Sequence, residues 1–333
     1  MTPLRVGIVG CGLIGGKRAK ALGGAALVAV ADTNRARAEQ LARQCPGCVA
    51  ESNWEAVVRR DDVDAVVVAT TNDMLAPVTH EAVRRGKHVL VEKPAARGAA
   101  ELEPVAAAAR KSFDESGVVV KVGFNHRFHP ALQKAHEIFR TGALGPLMFV
   151  RGRYGQGGRL GMEKEWRGNK QIAGGGEMLD QGVHLVDLAR WFLGDFSEVS
   201  GHVARFFWDW EVEDNGFALL KTAQGQVAWL HASCTEWKNL FSLEVYGKVG
   251  KLHVEGLGGS YGVERLAYYK MLPQMGPPET TIWEYPGEDK SWQAEWAHFT
   301  DCIRQRRMPE GNVEDALATV RVIDELYRTS PAR

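Results

Sequence analysis

Three groups of residues in this 333-residue chain have types and spacings suited to chemistry. The first is Gly10-Cys11-Gly12-Leu13-Ile14-Gly15. Gly10 permits a tight turn, Gly12 lets a pyrophosphate approach the backbone, and Gly15 lets the next helix pack close to the strand before it. A helix opened by such a turn offers N–H groups and a positive dipole end to phosphates. The turn follows an apolar strand pattern, and Asp32 ends the next strand 22 residues after Gly10. A carboxylate there binds the adenosine ribose hydroxyls and repels a 2′-phosphate, which selects NAD over NADP. Arg35 tempers that preference, because a guanidinium three residues on could reach a phosphate. The plain alternative is a glycine turn in a generic α/β protein.

The second group is Val91-Glu92-Lys93-Pro94, at the end of a strand pattern. Ligands of open α/β sheets lie beyond the carboxyl ends of the strands, which aims Lys93 at the nicotinamide region. An ammonium beside a substrate hydroxyl can stabilise the alkoxide that precedes hydride loss. Taken alone, Lys93 reads as a surface lysine ending a strand. The third group is the block from Gly174 to Asp187. Glu177 to Leu193 reads as a helix; Asp180 and His184 are four apart and Asp187 three further, so all share one helical face. His184 could take a hydroxyl proton while Asp180 binds substrate or tunes the imidazole. The same pair could ligate a metal, or simply decorate a charged helix face.

Elements able to position these groups are legible around them. Through Phe124, strand and helix patterns alternate, and Val63 to Thr70 is an apolar run of the kind found in strands buried on both faces. That predicts a doubly wound parallel sheet. Ser52 with Glu55 looks like a capping box. From Ser197 to Lys270 the pattern has period two, which predicts a mostly antiparallel sheet with one wet face. Pro273 to Pro286 reads as a loop, and two helices close the chain. Domains of 1–124 and 125–333 are expected, with the terminal helix free to pack back on the first.

Basic and acidic residues number 41 each, so there is no electrostatic footprint for nucleic acid or an acidic membrane. No apolar run is long enough to span a bilayer, and the N-terminus lacks signal-peptide features. A cytoplasmic location is expected. Five scattered cysteines argue against a disulfide framework, and Cys45-Pro46-Gly47-Cys48 reads as a turn with incidental thiols.

The glycine turn, Ala69-Thr70-Thr71-Asn72, Glu92-Lys93-Pro94 and the Gly174–Asp187 block together resemble, in order and spacing, the glucose–fructose oxidoreductase/inositol dehydrogenase/rhizopine-catabolism (Gfo/Idh/MocA) family. The resemblance covers the whole chain. It implies an N-terminal Rossmann domain and a C-terminal α+β domain whose open sheet often serves as an oligomer interface, giving a homodimer or homotetramer. It also implies that Lys93 and His184 flank the reacting carbon, with His184 as general base and Asp180 assisting, and that Lys93-Pro94 is often a cis peptide. Thr70, Thr71 and Asn72, together with Leu13, Ile14, Glu92 and Lys93, would join the glycines, Asp32 and Arg35 around NAD. Thr71 departs from the proline commoner at that place in the family. No metal is implied.

The expected substrate is a sugar, sugar nucleotide or cyclic polyol with a secondary hydroxyl. Arg127, Trp166, Arg167 and Asp180 are its candidate contacts, and Trp237 could offer a flat face to a pyranose ring. Arg127 and Arg167 could instead each pair with a glutamate. Two competing functions remain on the same fold. A non-catalytic NAD or sugar sensor would not need Lys93 and His184, and an NAD-dependent glycosidase would release an aglycone without net NADH.

Overall fold

The structure, a computed structural model, describes residues 3–330. In chain order its first elements are β1 (Arg5–Val9), α1 (Leu13–Ala21), β2 (Ala26–Ala31), α2 (Arg35–Ala42), β3 (Val49–Glu51), α3 (Trp54–Arg59), β4 (Ala65–Val68), α4 (Asn72–Arg84), β5 (His88–Val91), α5 (Ala99–Ser116) and β6 (Val120–Val122). There follow α6 (Pro130–Arg140), β7 (Leu147–Gly155), α7 (Lys170–Ala173), α8 (Val183–Leu193), β8 (Glu198–Ala204), β9 (Asn215–Lys221), β10 (Val227–Ser233) and β11 (Leu240–Gly247). The last are β12 (Gly250–Glu255), β13 (Glu264–Lys270), β14 (Glu279–Tyr285), α9 (Ser291–Gln305) and α10 (Val313–Thr329).

The chain divides into two compact units, and the division is discontinuous in sequence. The first takes the chain up to Phe124 together with Gln171–Gly174 and Trp292–Leu317; the second takes Asn125–Lys170, Gly175–Ser291 and the chain from Ala318 onward.

In the first unit, six parallel strands run in the order β3-β2-β1-β4-β5-β6. All four residues of β4 are buried, as a parallel strand covered on both faces requires. Strand order reverses between β1 and β4, so the carboxyl ends of those two strands flank the crevice where such sheets bind ligands. Val6, Ile8, Val67 and Leu90 of the sheet share a core with Trp296 and Phe299 of α9. The helix after Ser52 is capped differently from the expectation. It starts at Trp54, and Asn53 Oδ1 accepts from Ala56 N at 2.8 Å, because the asparagine nearer the first turn takes the capping position.

The second unit is built on eight strands in the order β14-β13-β12-β11-β7-β10-β9-β8. Neighbours are antiparallel except for β10 beside β7. Helix α8 packs on one face. A Cβ at Gly152 of β7 would lie 3.1 Å from Leu185 of that helix. On one row of the sheet, Leu219 opposes Trp229, and both side chains are exposed. The Pro273–Pro286 stretch expected as a loop holds the edge strand β14, with Trp283 opposite Leu266. Its Thr-Thr-Ile-Trp run favours a strand, and the prolines lie in the flanks, where an edge strand tolerates them.

Cys45 and Cys48 sit at a turn closed by Cys48 N donating to Cys45 O, and both are free thiols. Burial, with Cys45 nearby, pushes the Cys48 thiol up to about 11, the opposite of redox activation. Among the described residues, no helix is long and apolar enough to cross a membrane.

Candidate functional site

The glycine turn between β1 and α1 is sterically specified. Gly10 has φ +93°, and a Cβ there would lie 2.3 Å from Ala69 O. A Cβ on Gly15 would lie 1.9 Å from Gly10 O. Gly12 differs: no atom lies within 4 Å of where its Cβ would be, so the N-cap of α1 opens into free space. No side chain caps that helix and no acidic residue occupies its first turn, which suits an anion. Leu13 is exposed beside the opening, and Ile14 is half-buried. Asp32 faces the turn. Its Oδ2 accepts from Cys11 N at 2.7 Å and its Oδ1 from Asn34 N at 2.7 Å, so the carboxylate expected to bind ribose also pins the glycine turn to the end of β2. Burial, reinforced by Asp32, pushes the Cys11 thiol up to about 12. Arg35 points to Glu39, one helical turn on, with Nε 2.8 Å from Oε1.

At the end of β5, Glu92 is buried and engaged by Arg18, whose Nε donates to Oε1 at 2.6 Å. Arg18 Nη1 donates to Glu295 Oε2 at 2.6 Å, and Lys121 Nζ lies 3.3 Å from Glu295 Oε1. Two cations and two carboxylates thus balance behind Lys93. Burial pushes the Glu92 carboxyl up, against the pull of Arg18. A Cβ at Gly123 would lie 2.8 Å from Arg18 Nη2, which explains the glycine there. The side chain of Glu92, a residue expected among the cofactor contacts, is held by Arg18, since a buried carboxylate needs a cation beside it. Lys93 is half-buried, and Lys93-Pro94 is a cis peptide. Thr71 caps α4 and its Oγ1 donates to Asp73 Oδ1, while Thr70 Oγ1 donates to Thr71 O. Asn72 is buried, with Nδ2 donating to Ala173 O at 2.9 Å.

In the second unit, Met178–Gly182 forms a π-helical turn before α8. Glu213 holds its entry, accepting from Gly176 N, Met178 N and the Tyr327 hydroxyl. A Cβ on Gly176 would lie 1.8 Å from Glu213 O. The regular helical face expected for Asp180, His184 and Asp187 is therefore interrupted, because the wider turn changes the angular step between Asp180 and His184. The three side chains meet different partners. Asp180 Oδ2 accepts from Arg167 Nε at 3.3 Å, and that guanidinium lies 4.7 Å over the Trp166 ring. His184 is buried with its ring against that of His126, centroids 3.8 Å apart. Asp187 accepts two bonds from Arg127, at 2.8 and 2.6 Å.

The structure therefore brings Asp180, Trp166 and Arg167 together. It commits Arg127, expected to touch substrate, to a buried bidentate pair with Asp187, the stronger claim on a fork-shaped cation. Trp237 is three-quarters exposed, has φ +55°, and packs edge-on against Phe207. Tyr154, unforeseen, lies edge-on to His126 and hydrogen-bonds Tyr261; burial holds its hydroxyl well above the ordinary phenol range. His126, next to Arg127 in the chain, carries no sequence signal of its own, and neither do Arg18 and Glu295, whose partners are far along the chain. Among the described residues no three His, Cys, Asp or Glu side chains converge as metal ligands.

Comparison with known proteins accords with this layout. Residues 4–124 match the oxidoreductase family with an NAD-binding Rossmann fold, and residues 132–253 match the GFO/IDH/MocA C-terminal domain. The chain is 29% identical to levoglucosan dehydrogenase of Pseudarthrobacter phenanthrenivorans over 68% of its own length, a match that takes in 60% of that enzyme. It is 27% identical to scyllo-inositol 2-dehydrogenase (NAD(+)) of Bacillus subtilis over 92% of its own length and 88% of that enzyme's. A solved levoglucosan dehydrogenase in complex with NADH and levoglucosan shares the fold with a TM-score of 0.87 at 22% identity, covering 98% of this chain and 97% of that one. With the glycine turn, Asp32 and the His184 block each inside a matched domain, the chain belongs to the GFO/IDH/MocA oxidoreductase family and its N-terminal unit is an NAD-binding Rossmann domain.

Proposed function

We propose that the protein is an NAD-dependent dehydrogenase that oxidises a secondary hydroxyl of a sugar, sugar nucleotide or cyclic polyol, with Lys93 and His184 as its acid–base pair. The observation that carries this reading is the buried His184 imidazole, four residues from an Asp180 carboxylate that is itself held by Arg167. The dehydrogenases named above support the substrate class.

The open N-cap at Gly12, with Leu13 and Ile14, would hold the pyrophosphate, and the Asp32 carboxylate the ribose hydroxyls. Thr70, Thr71 and Asn72 would line the same crevice. Bound NAD supplies the hydride acceptor at nicotinamide C4. His184 takes the hydroxyl proton as the carbonyl forms, and the Lys93 ammonium stabilises the alkoxide character that develops on oxygen. The reading asks these two side chains to meet one carbinol carbon. Asp180 accepts from a substrate hydroxyl, and Arg167 and Trp166 contact the same molecule, the indole offering an apolar face. Arg127 acts through Asp187 by fixing α8, and Trp237 offers an outer face for a ring. Lys93 and His184 run in reverse would reduce a ketone. The compartment consistent with this reading is the cytoplasm. A homodimer or homotetramer would cover the sheet face that carries Leu219 and Trp229.

The test is NADH formation from NAD with myo-inositol, scyllo-inositol, levoglucosan, D-glucose and a thymidine-diphosphate glucose. Turnover of at least one is expected. Tight NAD binding with no turnover of any of them would overturn the reading in favour of a sensor.

A further inference from the structure

A π-helical turn is uncommon, and the one at Met178–Gly182 is held from outside its own segment. We propose that Glu213 is a positioning residue for the reaction: its carboxylate, with the Tyr327 hydroxyl, fixes this turn so that Asp180 and His184 address one substrate; the inference rests on His184 being the base. Glu213 lies just before β9 and is buried. Its Oε2 accepts from Gly176 N at 3.0 Å, and its Oε1 from Met178 N at 3.1 Å and the Tyr327 hydroxyl at 2.6 Å. Its main-chain oxygen accepts from Glu177 N at 3.1 Å. One distant residue thus takes three successive N–H groups at the start of the turn, where a helix leaves such groups without an internal partner.

The grip is passed along the chain to both functional side chains. Gly176, held at its N–H, uses its own carbonyl to accept from Leu179 N at 3.1 Å and Asp180 N at 2.9 Å. Met178, held likewise, packs against the far end of the turn. A Cβ on Gly182 would lie 2.9 Å from Met178 Sδ, and one on Gly216 would lie 2.0 Å from Met178 Cγ. Gly182 leads straight into α8, two residues before His184. The glycines at the entry fit the same arrangement, since a Cβ on Gly175 would lie 2.3 Å from the Tyr327 hydroxyl. Every group bonded to the Glu213 carboxylate donates to it. Burial pushes that carboxyl up, and the Tyr327 hydroxyl and the amides work against the rise. A glutamine at 213 keeps the size but sets an NH2 donor against an N–H donor, leaving one of them unpaired. Freed of its grip, the turn can relax toward α geometry, which changes the angular step between Asp180 and His184. Misplacing a reacting group by about 1 Å costs on the order of 10²-fold in rate.

The experiment measures single-turnover NADH formation at saturating concentration of the panel substrate that turns over fastest. It compares wild type, Glu213→Gln, His184→Ala and the double variant. Glu213→Gln is expected to keep NAD binding and to lower the rate by about tenfold or more. In the His184→Ala background the same change is expected to cost a smaller factor, because the base it positions is gone. A purely structural role would cost an equal factor in both backgrounds. That result, or a wild-type rate in Glu213→Gln, overturns the positioning role. Should Glu213→Gln fail to fold, Tyr327→Phe, which removes one donor and leaves the ring, enters the same cycle with the same expected inequality. A wild-type rate in His184→Ala, or no turnover of any panel substrate, removes the base assignment and this inference with it. A slow His184→Ala beside equal factors for Glu213→Gln removes the positioning role alone.

Discussion

Arg18 Nε donates to Glu92 Oε1 at 2.6 Å, immediately before Lys93, and the same guanidinium reaches Glu295 on α9. All three side chains are buried. Removing the guanidinium leaves the buried Glu92 and Glu295 carboxylates with Lys121, which lies against Glu295, to balance them. Arg18→Met is therefore expected to destabilise the protein by about 3–5 kcal/mol, measured by urea denaturation. Arg18→Lys keeps the charge but loses the fork, and should lower kcat through Lys93 while sparing much of the stability. Equal stability of Arg18→Met and wild type would show that the network is not what holds the strand end.

Asp32 has two duties, because its oxygens already accept from Cys11 N and Asn34 N. Asp32→Ala should weaken NAD binding by about tenfold or more, through loss of ribose bonding and loosening of the glycine turn. It should also narrow the preference over NADP, since the repulsive carboxylate is gone. Fluorescence titration with both dinucleotides gives the comparison; an unchanged ratio would place the selectivity elsewhere.

On the sheet, Glu244 lies among Lys251, Tyr246 and Arg151. Burial by itself would raise this carboxyl, but those three hydrogen bonds outweigh it and pull the group down to about 2. The folded value lies below the unfolded value of about 4.3, so this stabilisation is complete above about pH 4.3 and is lost as pH falls toward 2. Glu244→Gln should remove roughly 1–2 kcal/mol of stability at neutral pH and flatten the decline between pH 4.3 and 2. Thermal denaturation across that interval reads the difference.

Leu219 and Trp229 form an exposed cross-strand pair of large apolar residues. If self-association covers them, Trp229→Asp lowers the molar mass seen by light scattering while leaving the circular dichroism spectrum unchanged. An unaltered mass would remove this face from the interface.

Much of this was legible in the sequence, for physical reasons. A parallel strand buried on both faces writes itself as an apolar run, and a dinucleotide turn needs glycines where a Cβ would strike backbone. Gly10 and Gly15 meet that requirement in the structure. Local patterning could not disclose the π-turn at Met178–Gly182, which depends on Glu213 and Tyr327 reaching it from distant segments. The Arg127–Asp187 pair is hidden for a related reason: the two residues lie 60 positions apart, so no local pattern links the cation to its acidic partner. The strand Glu279–Tyr285 was hidden by its flanking prolines, although its own residues favour extension.

The central claim is that Lys93 and His184 carry the proton chemistry of an NAD-dependent oxidation. Its most direct test is single-turnover NADH formation by wild type, Lys93→Met and His184→Ala, each first shown to bind NAD. The account predicts that NAD binding survives in both variants while NADH formation falls by about 10²-fold or more. Wild-type rates of NADH formation in either variant would contradict it.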